Sequence, residues 1–151
     1  MKKIIIIFLL ILNSCGYTSI YKNQKDQNFQ INVTEMTGDN EFNNLIKNEL
    51  KMYSNINSNN IYDITINSNY QKIIVSKNLA GVATNFNIIA KAKLSVSFNG
   101  KIRSLNYNES INIKNNTNSF EQNNYEKNLK KNFASSIREK FIVEMFDLND
   151  N

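Results

Sequence analysis

The chain of 151 residues holds one thiol, Cys15, and no histidine. A thiolate can attack a carbonyl, bind a soft metal or be covalently modified. Attack needs an adjacent base, most often histidine, and a soft-metal site needs several Cys or His ligands. Neither set can be assembled from this composition. The four glycines are too scattered for a phosphate-cradling loop. The carboxylates stand singly, without the pairing that acid–base hydrolysis uses. These residues therefore predict no enzyme, no cofactor and no metal site, and leave modification as the chemistry open to Cys15. The other candidates are cations: Lys91, Lys93, Lys101 and Arg103 fall within one short stretch and suit an anionic partner.

The surroundings of Cys15 say what kind of modification. Lys2 and Lys3 form a positive head, and Ile4 to Leu12 is an unbroken apolar run of nine residues. Crossing a bilayer takes ~20 apolar residues, so the run reads as a secretory signal rather than a spanning helix. Leu12-Asn13-Ser14-Cys15 resembles a bacterial lipobox, in which a peptidase cuts before a cysteine carrying a diacylglyceryl group. Asn13 departs from the small or apolar residue usual there. The alternative is an ordinary leader with an incidental cysteine. The division expected is a signal peptide at 1–14, a lipidated tether at 15–28 and a single domain at 29–148. Two or more acyl chains make such an anchor lasting, at ~0.8 kcal/mol per buried methylene.

Asparagine makes up about a fifth of the chain, far above ordinary usage. With isoleucine and lysine also abundant, AT-rich codon bias accounts for it better than a prion-like tract. The net charge of +5 falls once Lys2 and Lys3 are removed. The product is mildly basic, short of what nucleic-acid binding needs. Without disulfides the domain must rest on its own core, which ~140 residues can supply.

The elements that position these residues follow from periodicity. Phe29, Ile31 and Val33 alternate with polar neighbours, a half-buried strand. Gly38-Asp39-Asn40 offers a helix N-cap. Phe42, Leu45, Ile46, Leu50, Met52 and Tyr53 then fall on one arc of roughly 160°, interrupted only by Glu49. A second strand starts at Ile61, and its phase slips near Lys72, where a bulge would return Ile73 and Val75 to the inner face. Ser76 to Thr84 connects it to a third strand, in which Phe86, Ile88, Ala90, Ala92, Leu94, Val96 and Phe98 alternate without a break. Asn99-Gly100 is the preferred pair of a two-residue type I′ hairpin, and it fixes the register of the fourth strand. Phe86 should face Ile113, Ile88 Ile111, Ala92 Tyr107 and Leu94 Leu105; Ala90–Glu109 and Val96–Arg103 are the misfits. Lys91 and Lys93 should stand beside Asn108 and Asn106 on a polar, wet face, opposite to Lys101 and Arg103. Ser119 to Gln122 reads as a capping box. A long helix follows, from about Phe120 to Phe146, with Tyr125, Leu129, Phe133, Ile137, Phe141 and Met145 as its slanting seam. The fold expected is α+β, a two-layer sandwich with two helices on one face of a four-stranded mixed sheet, in the order β-α-β-β-β-α. A right-handed crossover is expected for the first strand–helix–strand unit, placing strand one parallel to strand two or near it.

Cys15-Gly16-Tyr17, with Tyr21 as a second aromatic, resembles the start of mature lipopolysaccharide-assembly lipoproteins of the LptE family in its alphaproteobacterial form. The order of elements, the stretch from Ala80 to Leu94 and the closing helix also match; Ser19 stands where the family often has proline. The resemblance implies an outer-membrane lipoprotein, anchored on the periplasmic face. It would plug and help assemble an LptD β-barrel and assist lipopolysaccharide delivery to the outer leaflet. Lys91, Lys93, Lys101 and Arg103 become candidate contacts for its phosphates, and Lys72, Lys77, Leu79 and Gly81 a candidate barrel-contacting loop. A periplasmic lipid carrier, or an accessory lipoprotein of another envelope machine such as a secretin pilot or transporter subunit, is the alternative. Cys15→Ser tests the starting point: mass spectrometry of the membrane fraction should find diacylglyceryl on Cys15 in the natural chain, and an unmodified chain retaining its leader in the variant.

Overall fold

The computed structural model describes residues 29–54 and 57–149; the expected signal peptide, Cys15 and the tether lie outside them. The order is β1 (Gln30–Gly38), α1 (Asn40–Leu50), β2 (Ile61–Lys77), β3 (Ala83–Phe98), β4 (Lys101–Lys114) and α2 (Ser119–Asn149). The strands lie in the order β1-β2-β3-β4. β1 runs parallel to β2 and the other pairs are antiparallel. Both helices cover one face, which makes the expected α+β sandwich.

The β3–β4 register follows from the turn. Asn99 and Gly100 have φ of 48° and 77°, the positive values that a type I′ turn requires at both positions. Phe86 pairs with Ile113, Ala92 with Tyr107 and Leu94 with Leu105, as the alternation predicts. The Ala90–Glu109 misfit resolves across the layers. Glu109 faces the helices and accepts from Ser136 Oγ at 3.0 Å and from Lys140 Nζ.

The core lies between the sheet and the helices, built from Ile64, Ile66, Ile88 and Leu94 on the strands. Phe42, Ile46 and Leu50 face it from α1, and Leu129, Phe133, Ile137, Phe141 and Met145 from α2. Burying each of the larger side chains contributes roughly 1.5–3 kcal/mol. Asp39 caps α1, its carboxylate accepting from the Phe42 amide at 2.7 Å. Asn43, fully buried on α1, donates to the Thr37 carbonyl at 2.8 Å and ties the helix back to β1.

Four expectations need correction. β2 does not bulge at Lys72; pairing runs unbroken from Asp63 to Ile74, and the irregularity lies between Ile74 and Ser76. Lys72 keeps the inward phase because its charge is satisfied there. It pairs with Glu126 at 2.5 Å and sits 4.0 Å from the Phe86 ring centre. Ile73 and Val75 consequently stay exposed. The first helix ends as α at Leu50 and tightens to a 3₁₀ turn at Lys51–Tyr53, which buries Tyr53 and turns Met52 to solvent. The cap of α2 is Asn118, whose side chain accepts from the amides of Phe120 and Glu121, while Gln122 reaches back to the Asn116 amide. On the packed faces, Tyr125 and Ile111 are exposed at the end of the sandwich.

One ion cluster joins the helices. Lys130 of α2 is buried and reaches Glu41 at 2.8 Å and Asp39 at 3.4 Å, with its ammonium 4.4 Å from the Tyr70 ring centre. Burial first, then Glu126, Glu41 and Asp39, pushes the Tyr70 phenol up to about 12.

Two predictions follow from this packing. Gly38 has φ of +92°, and a Cβ there would lie 1.9 Å from the Ser68 carbonyl oxygen; Gly38→Ala should cost at least ~2 kcal/mol, read as a lower urea midpoint. Below pH 10 folded and unfolded chains both keep the Tyr70 proton. Between 10 and about 12 only the folded chain keeps it, so stability should fall as pH rises through that window. Tyr70→Phe should flatten the fall, leaving the contribution of Tyr62 and Tyr107, whose phenols burial also raises.

Candidate functional site

The face of the sheet turned away from the helices carries Lys91 and Lys93. Alternation sends every second residue of β2, β3 and β4 there, and pairing aligns them in rows. Asn67, Lys93 and Asn106 form one row, and Asn69, Lys91 and Asn108 the next. Thr65, Ser95 and Ser104 continue the pattern toward the Asn99-Gly100 turn. Each lysine is thus flanked on both sides by an asparagine from a neighbouring strand. The rows border a shallow depression of about 350 Å³, lined also by Ala92 and Tyr107.

This surface is held in place by its neighbours. Asn67 donates to Thr37 Oγ1 at 2.7 Å, extending its row onto β1, and the Ser95 and Ser104 hydroxyls share a hydrogen bond of 3.0 Å. Lys91 and Lys93 are exposed, and among the described residues neither forms an ion pair. Two positions apart on one strand, they stand ~7 Å from each other along it. Two ammonium groups at that spacing, bordered by amide donors, can hold one phosphate between them or two side by side. The arrangement can bind an anion.

The charge pattern along the chain reinforces this. From residue 64 to 108 there is no aspartate or glutamate, while Lys72, Lys77, Lys91, Lys93, Lys101 and Arg103 all fall within it. The three antiparallel strands therefore carry cations with almost no internal neutralisation. Lys72 is the exception, since Glu126 of α2 answers it.

The structure divides the expected anion contacts as the register requires. Lys91 and Lys93 share the open face. Lys101 and Arg103 have the opposite phase, on the helix side of β4 beside the turn, so the four do not make one site. Of the expected loop contacts, Lys77, Leu79 and Gly81 sit together at the β2–β3 tip, and Lys72 lies on the helix side, engaged with Glu126. Asn67 and Asn69 were not singled out from the sequence. The alternation of β2 before Lys72 carries the signal for them, because once its inner residues are known the asparagines must face outward. A second, larger depression of about 650 Å³ lies over the β4–α2 connection, bordered by Asn112, Asn116, Glu121 and Tyr125. Within it the Asn116 side chain donates to Glu121 at 2.9 Å and the Asn116 amide to Gln122 at 2.8 Å.

No family model and no curated protein matches the chain in sequence. Among solved structures the chain is similar to the rare lipoprotein B of Shewanella oneidensis, with a TM-score of 0.58 at 12% identity over 80% of this chain and 98% of that one. It is also similar to a protein of Caulobacter crescentus CB15 assigned to the lipoproteins. There the TM-score is 0.57 at 10% identity, over 82% of this chain and 93% of the other. At these identities the likeness is one of fold: the same sheet and helices, arranged by a different sequence.

Proposed function

We propose that the chain is a lipid-anchored lipoprotein of the bacterial outer membrane that lodges in an LptD-like β-barrel. There it would help the barrel assemble and assist lipopolysaccharide delivery to the outer leaflet. The observation that carries this reading is the open sheet face, a rigid polar surface of Asn–Lys–Asn rows. The lumen of a large outer-membrane barrel is polar, so a domain seated in it needs a hydrated, hydrogen-bonding exterior, which these rows provide. Lipopolysaccharide bears phosphates, and Lys91 and Lys93 are free to meet them. The shared architecture with the Shewanella lipoprotein and the sequence around Cys15 support the anchored placement. An acyl-chain carrier would need an apolar cavity, whereas the two depressions described above are lined mainly by asparagine, lysine and other polar side chains.

Affinity purification of the full chain from native membranes tests the partner. A large barrel protein should be recovered in equal amount; recovery with lipid alone, or with a secretin, would overturn the reading. The anion site has its own test. Replacing Lys91 or Lys93 with alanine should weaken binding of lipid A phosphates about tenfold per lysine. The urea midpoint should move by no more than ~0.5 kcal/mol, since both side chains are exposed. Lys101→Ala and Arg103→Ala, on the other face, should leave that binding unchanged.

A further inference from the structure

We propose that the β2–β3 tip dips into the surface of an anionic lipid bilayer, with Leu79 entering deepest. The tip is the most apolar exposed part of the described chain. Leu79 is fully exposed, Val75 and Val82 are more than half exposed, and Ile73 and Ile74 nearly so. Ile74 faces the helix side, yet no helix covers it, so the end of the hairpin projects beyond the sandwich. Large exposed apolar patches of this kind mark contact sites.

Most amides of the loop find partners inside it. Asn78 closes it: its carboxamide oxygen accepts from the amides of Ala80 at 3.0 Å and Val82 at 2.9 Å. Its own amide donates to the Val82 carbonyl, and its carbonyl accepts from the Gly81 amide. Gly81, with φ of +80° and no neighbouring atom within 4 Å of a Cβ position, makes the reversal. The amides of Asn78, Ala80, Gly81 and Val82 are thus already satisfied when the tip enters an apolar medium, where an orphaned amide costs most. Leu79 is held outward by an ordered loop, which limits the entropy lost on insertion.

Charge selects the surface. Lys77 at the base of the tip and Lys114 on the adjoining end of β4 form no ion pair among the described residues, and the hairpin strands carry no carboxylate between Asp63 and Glu109. An apolar wedge flanked by two lysines is the pattern of a segment that seats in anionic headgroups, with ammoniums at the phosphates and hydrocarbon below. A second copy of the same tip would bring like charges together, and a polar barrel lumen offers five aliphatic side chains nothing to bury against. The 17 residues of β2 place the tip ~55 Å from the end where β1 begins. The domain therefore meets the bilayer at a point remote from its N-terminus. The inference does not depend on the barrel assignment.

The chain contains no tryptophan, so Leu79→Trp in the full chain gives a single reporter at the tip, and Ile102→Trp a control at the opposite end. Both positions are exposed, and an unchanged circular dichroism spectrum verifies folding. The probe is a vesicle of phosphatidylcholine with or without phosphatidylglycerol, carrying brominated acyl chains. On phosphatidylglycerol vesicles the Leu79→Trp emission should shift to the blue and lose intensity to bromine, while the Ile102→Trp emission does neither. Adding Lys77→Gln or Lys114→Gln should lower this response about fivefold per charge. An unshifted Leu79→Trp emission from chains that float with the vesicles would overturn the proposal. So would an equal response on pure phosphatidylcholine, or a blue shift before any lipid is added, which would mean that a second copy covers the tip. No barrel is present in these vesicles, so failure here and failure to recover a barrel from membranes are separate results.

Discussion

Everything in this domain depends on a two-residue reversal. Asn99 and Gly100 both take positive φ, and that conformation leaves β3 and β4 one register. Because side chains alternate along a strand, a slip of one residue would exchange the two faces of β4 relative to its partner. The core would then present Asn106 and Asn108 to the helices, and Leu105 and Tyr107 to water. The uninterrupted apolar alternation of β3 makes that exchange costly, so the turn and the core specify the same register. The open face is the other side of the same constraint: packing Ala90, Ala92 and Leu94 inward obliges Lys91 and Lys93 to stand outward between asparagines.

The helices add a second kind of specification, in which polar groups within the sandwich find partners on neighbouring elements. Lys130 reaches back to the first turn of α1, Lys140 and Ser136 meet Glu109, and Arg138 meets Glu49 at 3.5 Å. Several of these residues break the apolar pattern of their own element. Each break is answered by a break on the facing element, and so the long helix is pinned along its length and not only by its apolar seam.

This explains how much could be read in advance. Strand–turn signals are local, and Asn99-Gly100 with the alternation on either side was enough to place every β3–β4 pair. The Asp39 cap, the parallel first pair and the two-layer arrangement were legible for the same reason. Lys72 was not, because a cation in an inward phase looks like a phase error until Glu126, far along the chain, is seen to meet it. Met52 fell on a plausible helical arc and lost its place when the last turn tightened to 3₁₀. Serine and asparagine compete closely as caps, and one position decided for Asn118 over Ser119. At the candidate site, Lys91 and Lys93 were found by register alone, whereas their β2 neighbours Asn67 and Asn69 required the pairing across the β2–β3 hairpin. The apolar character of that hairpin's tip was hidden by reading Ile73 and Val75 as core.

The open face exists only if Lys93 has the cross-strand partners Asn67 and Asn106. Nuclear magnetic resonance of the labelled chain, recording backbone proton contacts between strands, tests this pairing without reference to any binding partner. Contacts should join Lys93 to Asn67 on one side and Asn106 on the other. Contacts from Lys93 to Leu105 or Tyr107 as its direct partner would show a shifted register, and the polar face with its two free lysines would not exist.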